Sequence, residues 1–184
     1  MPRQRHRVIF LVGFMGAGKT SVGRMLAEQL HWRFVDLDDL VVAREGRSIA
    51  QIFEEAGESG FRSRESAALQ QLLNGLKSSG NAVVALGGGA LSQPENRTAV
   101  ERSRFPKIFL DAPVEELFRR CASQDLPRPL RKDLSSFRDL YLSRRPGYSS
   151  DAIYVDTAGR SVAQVCGEIR SLLEHGTMGV KESD

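Results

Sequence analysis

The sequence predicts an α/β protein with three layers, in which a five-stranded parallel sheet lies between helices. Its 184 residues are 41% hydrophobic and 27% charged, which is an ordinary composition for a globular protein. Short apolar runs alternate along the chain with stretches of helical periodicity, and this order is typical of parallel sheets. Ligands of such sheets bind beyond the carboxyl ends of the strands, so we expect the functional residues there.

The strands are predicted from five short apolar runs. The first run, Val8–Val12, is continuous rather than alternating, as expected for a strand that is covered on both faces. The other four runs are Arg33–Asp36, Ala82–Leu86, Lys107–Leu110 and Ile153–Val155. Because stretches of helical period separate these runs, the strands are expected to pair in parallel.

The helices are predicted from apolar residues that recur at helical spacing and from residues that cap helix ends. Ser48 and Gln51 form a capping box ahead of a short helix. Pro146 and Gly147 are expected to end the helix before them. The remaining predicted helices lie over 19–30, around 69–76, from Pro94, from Pro113, around 137–141 and over 162–173.

Residues 1–175 are predicted to form one domain, followed by a disordered tail over 176–184. Residues 122–135 contain two prolines and several charges without a helical period, so we expect a long loop that acts as a lid. The apolar faces of the helices are accounted for by one core, and a monomer is therefore expected.

Composition excludes several classes of protein. The two cysteines, Cys121 and Cys166, are far apart and have no ligand-spaced partner, which argues against a disulfide scaffold or a zinc ribbon. The apolar run at 8–12 is too short to span a bilayer, and no cleavage site follows it, so a cytoplasmic protein without a membrane partner is expected. The net charge is only +3 and aromatic residues make up 7%, which gives little support to nucleic-acid binding.

The glycine-rich segment Gly13–Thr20 carries the strongest chemical prediction. It matches G-x-x-x-x-G-K-[ST] between a predicted strand and a predicted helix, which is the context of a phosphate-binding loop. Lys19 is then expected to reach the outer phosphates of a nucleotide, and the Thr20 hydroxyl to ligate Mg²⁺. The expected nucleotide-binding set is Gly13, Gly16, Ala17, Gly18, Lys19, Thr20 and Ser21.

Three carboxylates lie at the end of the second strand and just after it. Asp36 and Asp38 are expected to project toward the ligand, one organising Mg²⁺ and the other accepting a hydroxyl proton. An acidic cap at the start of a helix is the alternative, and Asp39 is expected to be such a cap.

Arginines and glycines outside this loop predict a site for an anionic substrate. Arg62 lies one helical turn before Glu65, so it either forms a surface ion pair or is aimed at a ligand by Glu65. The run Gly87–Gly89 ends a strand and either brings backbone close to a ligand or forms a flexible turn. Arg128 on the lid either lies in a solvated basic loop or contacts a transferring phosphoryl group. Arg144 near a helix end either stabilises that helix terminus or is directed at a substrate carboxylate.

Taken together, these motifs resemble shikimate kinase, a family of small P-loop kinases with the nucleoside-monophosphate-kinase type of fold. The resemblance covers about residues 7–173. The motifs, which stand in register, are Gly13–Thr20, the D-x-D of Asp36–Asp38, the G-E-x-x-F-R-x-x-E of Gly57–Glu65, Gly87–Gly89, the R-P-L of Arg128–Leu130 and the R-x-P-x-Y of Arg144–Tyr148.

The resemblance implies that ATP and shikimate react to give ADP and shikimate 3-phosphate, with Mg²⁺ as cofactor. It implies that Lys19, Asp38 and Arg128 are catalytic, with Asp38 as the candidate base and Arg128 on the nucleotide phosphates. Thr20 would ligate Mg²⁺ directly and Asp36 through water. The implied shikimate-binding residues are Asp38, Arg62, Gly87, Gly88, Gly89 and Arg144.

This sequence departs from the family pattern on the adenine side. The family usually has an arginine seven positions before the R-P-L arginine, and here that position is Cys121. Arg160 is therefore a candidate for the adenine side, as are Arg119 and Arg120. Two alternatives to a shikimate kinase are a related kinase such as a gluconate kinase and a non-catalytic binding protein. The chain retains both Lys19 and Asp38, which a non-catalytic relative would typically lack.

Overall fold

The computed structural model describes residues 8–76, 80–122 and 133–174. Within them a five-stranded sheet has the strand order β2-β3-β1-β4-β5, and every neighbouring pair is parallel. The strands are β1 (Val8–Val12), β2 (Arg33–Asp36), β3 (Ala82–Ala85), β4 (Lys107–Asp111) and β5 (Ala152–Asp156). The predicted α/β class and parallel sheet are confirmed, and the buried residues of β1 and β3 form the centre of the core.

In the described part of the chain, six α-helices and one 3₁₀ turn lie between the strands, and a seventh helix follows β5. The helices are α1 (Lys19–Leu30), α2 (Leu37–Glu45), α3 (Ile49–Leu76), α4 (Pro94–Ser103), α5 (Val114–Ala122), α6 (Leu134–Ser149) and α7 (Val162–Glu174), and the 3₁₀ turn is Ala90–Ser92. Helix α1 packs against α7 and the sheet, whereas α3 packs against α2 and α4. Each crossover returns the chain to the same edge, so the loops after β1, β2 and β3 meet there.

Helix α2 is not among the helices predicted from apolar periodicity, although Asp39 is expected to cap a helix in this region. It begins directly after β2, and its N-cap is Asp36, whose carboxylate accepts a 3.1 Å hydrogen bond from the backbone N of Asp38. The expectation that Asp39 is the cap is therefore wrong. Asp39 lies in the first helical turn with its side chain 72% exposed, 3.8 Å from Arg24.

Helix α3 contains both the short helix and the long helix that the sequence predicts. Gly57 separates them with φ 66° and ψ −173°, a conformation that glycine adopts without steric cost. The predicted capping box is confirmed, because the backbone N of Gln51 donates to the Ser48 hydroxyl and the Gln51 side chain accepts from the backbone N of Ser48.

Pro146 does not end helix α6, and that expectation is wrong. The helix continues through Pro146 to Ser149. Tyr148 beyond the proline is buried, with its ring centroid 5.7 Å from that of Phe109. Packing of this last turn against the sheet therefore outweighs the cost of about 3 kcal/mol for a proline inside a helix.

The predicted loop 122–135 lies mostly outside the described residues, as do Arg128–Leu130 and the predicted tail 176–184. Its two ends are helical, because Ala122 closes α5 and Asp133 caps α6 through the backbone N of Ser136. No helix in the described part of the chain is long and apolar enough to cross a membrane.

Candidate active site

The glycine-rich segment joins β1 to α1 in a loop that only glycine permits at two points. Gly13 and Gly16 have φ values of 147° and 83°, and an added Cβ would lie 2.3 Å from the Leu110 oxygen and 2.6 Å from the Leu117 oxygen. The Nζ of Lys19 donates to the backbone oxygens of Gly13 at 2.7 Å and of Phe14 at 3.0 Å. The loop is thereby held closed around its own lysine, at the N-terminus of α1, where the helix dipole favours an anion.

Thr20 and Asp36 connect this loop to the end of β2. The Thr20 hydroxyl donates to Oδ2 of Asp36 at 2.8 Å, while Oδ1 of Asp36 accepts from the backbone N of Asp38. Asp38 therefore stands on the first turn of α2 rather than on an extension of the strand. A hydroxyl beside a carboxylate offers the hard oxygen ligands that Mg²⁺ prefers, and the pair fits a site where water supplies the remaining ligands.

A pocket of about 300 Å³ lies over the carboxyl ends of β1, β2 and β3. Its walls come from three loops, and the lining residues are Met15, Gly16, Gly18, Lys19, Thr20, Ser21, Asp36, Asp38, Ala85, Leu86, Gly87 and Gly88. The structure thus brings most of the expected nucleotide-binding residues together with both aspartates. Ala17 is buried beneath the loop and does not line the pocket.

Gly87 lies between two carboxylates that come from different helices. A Cβ at this position would be 2.6 Å from Oε1 of Glu65 and 2.8 Å from Oδ1 of Asp38. A Cβ at Gly89 would be 2.2 Å from a terminal nitrogen of Arg62. A side chain at Gly87 or Gly89 would therefore displace these charged groups, whereas a Cβ at Gly88 would make only ordinary contacts, the nearest at 3.5 Å. The glycine run is thus constrained at two of its three positions and is not an ordinary flexible turn.

Arg62 and Glu65 form a buried ion pair. Arg62 donates to Glu65 at 2.7 Å and to Glu58 at 3.2 Å, and the side chains of Arg62 and Glu65 are only 10% and 1% exposed. Burial raises the pKa of the Glu65 carboxyl above its usual value, although the charge of Arg62 opposes this. For Arg62, burial acts to lower the pKa, but the charge of Glu65 and its hydrogen bonds raise it overall. The arginine is therefore charged and fixed.

Arg144 approaches the same region from α6. Its side chain is 9% exposed, donates to the Gly88 oxygen at 3.3 Å and lies 3.8 Å from Glu58. The Tyr148 hydroxyl donates to the same Gly88 oxygen. Burial lowers the pKa of Arg144, with the charge of Arg62 acting in the same direction. Two guanidinium groups thus share Glu58, which makes this end of the site suited to a bound anion.

Two buried acceptor atoms mark the same end of the site. Oε2 of Glu65 is taken by Arg62, whereas Oε1 is buried and has no hydrogen-bond partner among the described residues. This atom is the one nearest the position of a Cβ on Gly87, so it faces the backbone between Asp38 and Arg62. In the sequence, Glu65 is marked only as a partner of Arg62, and Glu58 belongs to the G-E-x-x-F-R-x-x-E motif without an assigned role. The signal for Glu58 is its four-residue spacing from Arg62.

The described contacts of Arg160 are with residues that do not line this pocket. Arg160 donates to Glu168, to the Asp156 oxygen and to the Gln164 oxygen. Arg120, by contrast, donates to the Gly16 oxygen at 3.4 Å and to Thr157, so it ties α5 and the loop after β5 to the phosphate-binding loop. Cys121 is buried, and its Sγ lies 3.0 Å from the position of a Cβ on Gly16. Arg128 lies outside the described residues.

Comparisons with known proteins agree with this geometry. A family model for shikimate kinase matches residues 15–174. A shikimate kinase of Symbiobacterium thermophilum is 45% identical over 177 residues, covering 93% of this chain and 99% of that protein. A structure of Acinetobacter baumannii shikimate kinase in complex with shikimate has a TM-score of 0.85 and 36% identity, covering 96% of this chain and 97% of that one.

A more distant structure shares only the fold. A gluconokinase of Sinorhizobium meliloti has a TM-score of 0.63 at 20% identity, covering 94% of each chain.

Proposed function

This chain belongs to the shikimate kinase family, and we propose that the pocket over β1, β2 and β3 is where it transfers a phosphoryl group from ATP to shikimate. It is an ATP-dependent phosphotransferase of aromatic amino acid biosynthesis. The observation that carries the proposal is the close approach of two carboxylates, those of Asp38 and Glu65, to the backbone of Gly87. Gly87 lies between the phosphate-binding loop and the buried side chains of Arg62 and Arg144.

The nucleotide is bound by the loop between β1 and α1. Its phosphates lie at the N-terminus of α1, and Lys19 exchanges its contacts with the Gly13 and Phe14 oxygens for contacts with phosphate oxygens. Ser21 and Thr20 line the pocket at the same helix end. Arg128 is proposed to contact the nucleotide phosphates, and Arg160, whose described contacts are with Asp156, Gln164 and Glu168, is proposed for the adenine side.

Thr20 would hold the magnesium ion that accompanies ATP, with Asp36 acting through a water molecule. The 2.8 Å hydrogen bond between these side chains supports this assignment, because it already holds two oxygen groups side by side. When bound, the ion neutralises charge on the phosphates during transfer. The other oxygen of the Asp36 carboxylate caps α2, so the carboxylate is held from both sides.

Asp38 receives the proton of the attacking hydroxyl. The oxygen of the 3-hydroxyl of shikimate forms the new bond to the γ-phosphorus while the bond from that phosphorus to the bridging oxygen breaks and ADP leaves. The hydroxyl proton passes to the Asp38 carboxylate. Asp38 lies in the pocket beside the phosphate-binding loop and next to Gly87, so it is positioned between donor and acceptor.

Arg62 and Arg144 hold the carboxylate of shikimate, and the backbone of Gly87, Gly88 and Gly89 lies against its ring. A guanidinium group presents paired donors that match the two oxygens of a carboxylate. Since Glu65 fixes Arg62 in place, little ordering is required when the substrate binds. Phosphoryl transfer depends on such positioning and on charge neutralisation rather than on covalent catalysis.

The protein is proposed to act as a cytoplasmic monomer. The exposed large hydrophobic residues of the described chain are Val42, Leu142 and Tyr154, which lie on three different elements. Both cysteines are buried without a disulfide, in keeping with a reducing compartment. Light scattering coupled to gel filtration tests the oligomeric state.

An acceptor panel tests the function. ADP release is measured with shikimate, with gluconate and without acceptor, and we expect rapid release with shikimate alone. Release with gluconate but not with shikimate would contradict the proposal and favour a gluconate kinase. No release with any acceptor, together with intact ATP binding, would favour a non-catalytic binding protein.

A further inference from the structure

A second depression of about 270 Å³ lies between the 3₁₀ turn, α4 and α6. It is lined by Leu91, Ser92, Arg97, Ser143, Arg144 and Gly147, none of which lines the pocket over the strands. We name it the α4–α6 pocket. Its lining contains two guanidinium groups and two hydroxyl groups but no carboxylate, so its described walls are cationic and rich in hydrogen-bond donors.

Arg97 supplies a donor that the protein leaves unused. Its Nε is buried, and no hydrogen-bond acceptor among the described residues reaches it. The charge of Arg97 also lowers the pKa of buried Lys107, whose Nζ likewise has no partner in the described chain, while Glu101 and Asp151 act on Lys107 in the opposite direction. A buried donor without an acceptor is destabilising, and a bound anion would provide one.

Arg144 connects this pocket to the proposed shikimate site. At that site it donates to the Gly88 oxygen at 3.3 Å, lies 3.8 Å from Glu58 and is hydrogen-bonded to Tyr148. Arg144 also lines the α4–α6 pocket, as does Arg97. An anion bound between Arg97 and Arg144 would therefore compete for the group that is proposed to hold the substrate carboxylate.

We propose that the α4–α6 pocket is an anion-binding site for a small carboxylate or phosphate group, held between Arg97 and Arg144. Binding at this pocket weakens the binding of shikimate through Arg144, and by linkage shikimate weakens the binding of the anion to the same extent. The coupling to shikimate rests on the proposed function of Arg144, whereas anion binding at the α4–α6 pocket does not.

Anion binding is tested by nuclear magnetic resonance on the whole chain. Saturating ADP first occupies the phosphate-binding loop, and inorganic phosphate or acetate is then titrated while the Nε–H resonance of Arg97 is followed. We expect a saturable shift with at least one of the two anions, and sodium chloride at equal ionic strength serves as the control. A shift that matches the chloride control for both anions would overturn the site.

Coupling is tested by calorimetry with the effective anion. We expect the Kd of shikimate to rise about fivefold or more in the wild type, the lower end of ordinary coupling between sites. The rise should persist in Arg102→Gln, an exposed arginine on the same helix, and disappear in Arg97→Gln. An equal rise of the shikimate Kd in Arg102→Gln and Arg97→Gln would overturn the role of Arg97. A saturable Arg97 shift with an unchanged shikimate Kd would retain the site and overturn its coupling.

Discussion

Arg62 donates a 2.7 Å hydrogen bond to Glu65, and both side chains are almost completely removed from solvent. The pair lies one helical turn apart on α3, the spacing of many surface ion pairs. Here it is buried beside Gly87 and Gly89, with the second oxygen of Glu65 directed at the backbone. A buried pair contributes little net stability, but it fixes the direction of the guanidinium group.

Glu65→Gln should raise the KM for shikimate about tenfold, since one charge-assisted hydrogen bond of about 1.5 kcal/mol no longer holds Arg62 in place. The KM for ATP should change little. The control is Glu55→Gln, which removes the partner of Arg47 in an exposed pair. Steady-state kinetics check both variants, and equal shikimate KM values would contradict a positioning role for Glu65.

Asp38→Asn should lower kcat about 100-fold or more, the ordinary range for loss of a general base, while ATP affinity is retained. The neighbouring variant Asp39→Asn is the matched control, because that side chain is exposed and faces Arg24 instead of the pocket. Turnover and nucleotide binding are measured separately. Near wild-type turnover in Asp38→Asn would show that Asp38 does not accept the proton of the attacking hydroxyl.

Gly87→Ala should reduce kcat about 100-fold, as expected when reacting groups are displaced by about 1 Å. The added Cβ would lie 2.6 Å from Glu65 and 2.8 Å from Asp38, so both carboxylates must move. Gly167→Ala on α7 meets nothing within 4 Å and should leave kcat unchanged while raising stability by up to about 1 kcal/mol. Wild-type kinetics in Gly87→Ala would show that the pocket tolerates a methyl group there.

Lys107→Met should stabilise the fold and raise Tm by a few degrees, because a buried ammonium that has no hydrogen-bond partner among the described residues is replaced by an apolar side chain. Burial lowers the pKa of Lys107, so the folded state releases this proton at lower pH than the unfolded state. The cost of the charge is fully present below the folded pKa and disappears as pH rises toward 10.5.

The difference in free energy of unfolding between Lys107→Met and the wild type should therefore shrink as pH increases. Denaturant unfolding at several alkaline pH values measures it. A difference that is constant with pH would mean that packing, not charge, determines the effect of the substitution.

The strands and most helices could be predicted from sequence because their apolar patterns are local. Helix α2 could not, since only Leu37 and Val41 are buried on it and its start depends on the Asp36 cap. The predicted end of α6 is wrong for a different reason. Pro146 follows a local rule for helix termination, but burial of Tyr148 against Phe109 overrides it.

Motif spacing predicts the phosphate-binding loop and the pairing of Arg62 with Glu65, but not the contacts that join distant segments. Cys121 lies beneath Gly16, and Arg120 links that glycine to Thr157, contacts that span more than 30 residues of sequence. No periodicity encodes them. The convergence of Asp38 and Glu65 beside Gly87 is likewise visible only once α2 and α3 are placed against the sheet.

The most direct test of the account is a binding cycle between Arg144 and the substrate carboxylate. Calorimetry measures the Kd of shikimate and of its neutral methyl ester for the wild type, for Arg144→Met and for Arg145→Met, whose arginine contacts Asp111 instead of Gly88. We expect the wild type and Arg145→Met to prefer the acid by about tenfold or more, as for a charge-assisted pair, and Arg144→Met to lose most of that preference. An unchanged preference in Arg144→Met would contradict the assignment of this end of the cleft to the shikimate carboxylate.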